Sequence, residues 1–144
     1  MSCKSAIYTA NQRPYPTTLT VAQPTAQLEL GTTVRRFGCN ARLSGNGILL
    51  DGQGYYDVDA NVTITPEVAG DYTIALYQDG VAVPGAQQTI TVPAVGDAIA
   101  FNVPALVRLQ CCGSSATLTL VLSTTATLPT TVTVNNVGVV VKKI

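Results

Sequence analysis

An all-β single domain of about ten strands is what this sequence predicts, and three observations predict it. The first is the stretch Gly54-Tyr55-Tyr56-Asp57-Val58-Asp59-Ala60-Asn61-Val62-Thr63-Ile64. Tyr56, Val58, Ala60, Val62 and Ile64 share one parity, and Asp57, Asp59, Asn61 and Thr63 share the other. Side chains alternate faces along a strand, so this is a long strand with one apolar and one polar face. The second is composition: the chain has 20 Thr and 18 Val, the β-branched bias of sheet proteins, and no sustained helical period. The third is punctuation, because turn residues recur at the spacing of a sandwich or barrel. A length of 144 residues suits one domain that buries roughly 68–70% of its unfolded surface.

Residues 1–24 are rich in Thr, Pro and Gln, with Arg13-Pro14-Tyr15-Pro16 at their centre. Proline removes ladder donors, so this segment is expected to be an extended arm with one short strand near Ser5–Tyr8. The sandwich domain is expected over residues 25–144. Ala26–Leu30 stops at Gly31, and Thr33–Phe37 stops at Gly38. Arg42–Ser44 turns through Gly45-Asn46-Gly47 into Ile48–Leu50, a hairpin with a glycine-rich loop. Asp51-Gly52-Gln53 leads into the long strand, which Pro66–Gly70 closes. Tyr72–Gln78 returns and runs into an Asp79-Gly80 turn. Gln87–Val92, Ala98–Leu109, Ala116–Ser123 and Thr131–Lys142 complete the set, and Pro104 marks a bulge or an edge.

Charged residues are only 11% of the chain, against about 25% in an ordinary soluble domain. The formal net charge is zero, so there is no electrostatic footprint for nucleic acid or an anionic membrane. Arg35-Arg36 and Lys142-Lys143 read as solvated positions. No apolar run approaches the ~20 residues of a membrane span. The opening Met1–Ile7 lacks a basic-then-apolar pattern, so synthesis in a host cytoplasm is expected. Cys3, Cys39, Cys111 and Cys112 are then expected to be mostly buried thiols; a pairing of Cys39 with Cys111 or Cys112 is the lesser alternative.

The sequence lacks the parts of an active site. There is no His for general base work, no Gly-x-Ser-x-Gly elbow, no P-loop and no dinucleotide fingerprint. Without His or Cys-x-x-Cys there is no zinc pattern, and Gly45-Asn46-Gly47 and Asp51-Gly52 are turn chemistry rather than a calcium loop. Asp57 and Asp59 sit two apart on one strand face, which does not place a second carboxylate across a sugar. No catalytic residue, metal or cofactor is expected.

Leu118, Leu120 and Leu122 alternate with Thr117 and Thr119, as a strand wet on one side should. The run Val137-Gly138-Val139-Val140-Val141 does not alternate. A strand apolar on both parities is covered on both faces, and in a two-layer sandwich another copy of the chain is the economical cover. Val140 is therefore placed at a subunit interface.

Three segments carry a family resemblance. Gly54-x-Tyr56-x-Val58-x-x-x-Val62, then Ile74-Ala75-Leu76-Tyr77-Gln78-Asp79-Gly80, then a valine-rich final strand resemble the jelly roll of the complement-globular-head and tumour-necrosis-factor type. The bacterial and phage branch is the nearest in flavour, similar to the C-terminal domains of exosporium collagen-like glycoproteins and to small virion proteins. The resemblance spans about Gly31 to Ile144 and implies a homotrimer of ten-stranded jelly rolls with one sheet lining the three-fold axis. It places Tyr56, Val58, Ala60 and Val62 in the core, to which strand parity adds Ile64, Ile74, Leu76, Leu118 and Leu120. It turns Tyr55, Asp57, Asp59 and Asn61 toward the axis. Three copies of each carboxylate repel unless neutralised, and Arg108, from the same or a neighbouring protomer, is the expected partner. The collagen-like stalk of many such domains is absent, and the axis residues are unusually acidic.

The function expected is a structural one in a bacteriophage virion, as a capsid decoration, head-fibre or collar component on the particle surface. Its arm would engage other virion proteins. Two alternatives share the fold: a cell- or spore-surface domain, and a carbohydrate- or receptor-binding head with Tyr8, Tyr15 and Tyr77 as stacking candidates.

Overall fold

The computed structural model describes residues 4–93, 96–110 and 115–144. Twelve strands form two six-stranded antiparallel sheets that face each other as a jelly roll. In chain order they are β1 (Ala6–Ala10), β2 (Tyr15–Leu19), β3 (Thr25–Gln27), β4 (Thr32–Phe37), β5 (Ala41–Ser44) and β6 (Gly47–Asp51). There follow β7 (Gly54–Pro66), β8 (Gly70–Gln78), β9 (Val81–Val92), β10 (Ile99–Leu109), β11 (Ser115–Thr124) and β12 (Thr130–Lys143). The first sheet runs β10-β7-β12-β1-β4, with β2 also on β12. The second runs β5-β6-β11-β8-β9, with β3 also on β11.

The period-two pattern of the long strand is realised along all 13 residues of β7. Its inward parity joins a core between the sheets that includes Tyr56, Tyr72, Phe101, Ile7, Leu19, Leu28 and Leu50, all fully buried. Val58, Val62, Ile64, Ile74, Leu76, Leu118 and Leu120 belong to the same cluster. Two tyrosines carry their hydroxyls into it and find acceptors. Tyr56 donates to the Gly52 carbonyl at 2.7 Å, and Tyr72 donates to the Val68 carbonyl.

The N-terminal segment holds the strand expected near Ser5–Tyr8, as β1, but is built into the sheet rather than extended as an arm. β1 pairs with β12 on one side and β4 on the other, and β2 pairs with β12 over Thr130–Val134. Ile7 and Leu19 both reach the core. Prolines 14 and 16 are tolerated because β2 has a ladder on one side only among the described residues, so a missing N–H costs nothing on its open edge. The handover from β2 to β1 falls at a register shift in β12 near Asn135, and Asn11 clamps it. The Asn11 N–H donates to the Val137 carbonyl, and the Val137 N–H donates to the Asn11 side-chain oxygen at 2.7 Å.

One further difference concerns the strands after the long one. β9 begins at Val81, six residues ahead of the expected Gln87, because Asp79 and Gly80 take positive φ (53° and 80°) and close a tight hairpin on β8. Pro104 lies on β10, which ends the first sheet, so its edge reading describes the observed place. Gly31 and Gly38 bracket β4 with φ of 83° each, and a Cβ on either would collide with the backbone of residues flanking β1. Cys39, expected to be buried, is exposed in the turn after β4; Cys3, Cys111 and Cys112 lie outside the described residues.

Tyr15 gives the fold a pH dependence. Its hydroxyl accepts from the Glu29 N–H at 2.8 Å and donates to the Glu29 carbonyl at 3.1 Å. Burial pushes its pKa from 10.0 up to about 12; the Glu29 N–H works against that rise and the Glu29 charge adds to it. A folded pKa above the unfolded one means stability that is present below pH 10 and lost as pH climbs through about 12. Urea midpoints are expected to fall across that window, and Tyr15→Phe should flatten the fall. An equal fall in Tyr15→Phe would show that the loss comes from other groups, such as Tyr56, whose pKa is also raised by burial and then by Asp51 and Cys39.

Candidate oligomer interface

The outward face of the first sheet is built by the polar parity of β7 and its counterparts on four neighbouring strands. Register aligns them in rows. One row reads Arg35 on β4, Tyr8 on β1, Val140 on β12, Asp59 on β7 and Pro104 on β10. The next reads Phe37, Ala6, Lys142, Asp57 and Leu106. A third row pairs Gly138 with Asn61, and Asn61 with Asn102. Tyr55, Asp57, Asp59, Asn61, Arg108 and Val140 therefore share one face.

Inside the protomer that face is only lightly tied together. Lys142 Nζ lies 3.9 Å from the Asp57 carboxylate, with both side chains at least half exposed, so the pair adds little stability. Arg108 stands over the Tyr55 ring, 5.8 Å from its centroid, in a cation–π contact. A same-protomer pairing of Arg108 with Asp57 is thus replaced by two other contacts. The reason is register: Arg108 faces Tyr55, while Asp57 faces Leu106 on one side and Lys142 on the other. The Asp59 carboxylate makes no ion pair or hydrogen bond among the described residues.

The face also carries apolar surface beyond the Tyr55 and Val140 that the sequence places there. Tyr8, Val34, Phe37, Tyr55 and Leu106 are five of the eight large hydrophobic side chains exposed among the described residues, and all lie on strands of this sheet. Phe37 is 63% exposed and Leu106 58%. β4 is exposed at all six positions, so its Phe37 and Val34 are uncovered by the sandwich itself. Val137, Val139 and Val141 fill the core, and Val140 is left half-exposed on this face beside Tyr8. Tyr8, Phe37, Val140, Ala6, Arg35 and Lys142 line a hollow of about 110 Å³. No three His, Cys, Asp or Glu side chains group as a metal site among the described residues.

No family model matches this sequence, and no curated protein matches it. The fold does have solved counterparts. Murine APRIL at pH 5.0 superposes with a TM-score of 0.68 at 12% identity, covering 98% of this chain and 99% of that one. Eiger TNF from S. frugiperda gives 0.64 at 10% identity, covering 97% and 91%. The PRD1 vertex protein P5 gives 0.60 at 16% identity, covering 97% and 96%. The chain has the tumour-necrosis-factor-like jelly-roll fold along nearly its whole length.

Proposed function

We propose that this chain is a non-enzymatic structural protein of a bacteriophage virion, assembled as a homotrimer through the outward face of its first sheet. The observation that carries the reading is the concentration of exposed Tyr8, Phe37, Tyr55 and Leu106 on that one face. Exposed apolar patches of this kind mark association sites. The likeness to the PRD1 vertex protein P5 supports placement on a particle, as a vertex, decoration, head-fibre or collar component. Low charge suits a protein whose work is to stand in a lattice rather than to steer a charged ligand.

Engagement of other virion proteins falls to the N-terminal segment in this reading. Since β1 and β2 are built into the sheet, the parts of it free to dock are its turns, such as residues 20–24, where Val21 is 78% exposed. Mass spectrometry of purified particles that encode the chain is expected to find it at a defined copy number per particle. Its absence from washed particles, with abundance only in the host lysate, would contradict the virion role. Scrambling residues 21–23 should abolish its retention on particles without lowering its melting temperature; unchanged retention would move attachment elsewhere.

A further inference from the structure

In one row of the outward face the charges stand where a single protomer cannot pair them. In the row Arg35-Tyr8-Val140-Asp59-Pro104, the cation stands on β4 at one margin and the anion on β7, three strands away. At about 4.8 Å per strand spacing they are about 14 Å apart, beyond any ion pair. Among the described residues the Asp59 carboxylate has no partner, and the Arg35 guanidinium reaches only the carbonyl of its neighbour Val34 at 3.1 Å. The next row repeats the arrangement in apolar form: Phe37 and Leu106 are both exposed at its ends, four spacings or about 19 Å apart.

We infer that Arg35 of one copy pairs with Asp59 of the next, while Leu106 of that next copy enters the hollow beside Phe37 and Tyr8. The occupant of the hollow is thus a second copy of this chain, joined margin to margin. Arg35 and Phe37 lie two residues apart on one strand face, and Asp59 and Leu106 lie on adjacent strands one row apart, so one docking satisfies both. Arginine suits the position because its fork binds a carboxylate with two parallel hydrogen bonds. The contact is between unlike patches, the kind that closes into a ring when the rotation permits. The inference rests on the homotrimer reading and names the residues that would hold it.

Charge reversal tests the pair with the full chain. Arg35→Asp and Asp59→Arg are each expected to raise the concentration at which the trimer half-dissociates by at least about tenfold. The double reversal should return it to within about threefold of the parent. Because the two sites are too far apart within a protomer, such rescue reports contact between copies. A melt of each variant under dissociating dilution checks that the protomer stays folded. Additive losses without rescue in a protein that is still a trimer would overturn this pair and leave the trimer reading standing. Rescue at twice the chain mass would keep the pair and overturn the trimer.

Discussion

Removal of residues 1–24 is expected to unfold the protein. The truncation takes Ile7 and Leu19 out of the core and strips one side of β12 of its ladder over Thr130–Val134 and Gly138–Lys142, leaving only β7 on the other. Losing a buried Ile or Leu side chain costs about 2–5 kcal/mol each, against a total stability of about 5–15 kcal/mol for a domain. The lost ladder adds unpaired backbone groups on a central strand, and a buried unpaired group carries its own penalty. Far-UV circular dichroism and a thermal melt of the truncated chain should show no cooperative transition. A soluble product that melts like the parent would restore the N-terminal segment to the status of a detachable arm.

Tyr56→Ala is expected to cost roughly 3–5 kcal/mol, the range for deleting a large buried aromatic. Tyr56 is fully buried near the start of β7, and its hydroxyl binds the Gly52 and Asp51 carbonyls in the preceding turn. The mutation therefore leaves a cavity and unties the turn that aims the strand. Tyr56→Phe separates the two effects and should lose only about 0.5–1.5 kcal/mol, the net worth of a hydrogen bond. Urea melts of both variants decide. A loss below about 1 kcal/mol for Tyr56→Ala, typical of a surface position, would mean that the parity of β7 is reversed.

The parts of this fold legible in the sequence are those written in local pattern. β7 is spelled out by a period of two over its 13 residues, and the hairpins by Gly45-Asn46-Gly47 and Asp79-Gly80. β2 was not legible, because Pro14 and Pro16 argue against sheet unless the strand lies on an edge, and edge status is a property of the whole sheet. The first half of β9 is masked in the same way by Pro84 and Gly85. The candidate interface was half legible. The outward parity of β7 follows from alternation, but its cross-strand neighbours depend on which distant strands flank it. Lys142 meets Asp57 across 85 positions of sequence through the pairing of β7 with β12, and no local pattern announces that. Phe37 and Tyr8 became candidates only once β4 and β1 were seen beside β12 with one face uncovered. A signal was present in Phe37, a lone aromatic after Arg35-Arg36 in a short strand, but without sheet order it could not be assigned to a face.

Sedimentation equilibrium of the purified chain across micromolar concentrations is the direct test of the homotrimer, because the proposed interface needs a second copy to cover the first sheet. The expected result is a species at three times the 15.0 kDa chain mass, with Tyr8, Tyr55 and Phe37 protected from oxidative footprinting relative to dissociated protein. A monodisperse 15.0 kDa monomer with those side chains freely labelled would contradict it.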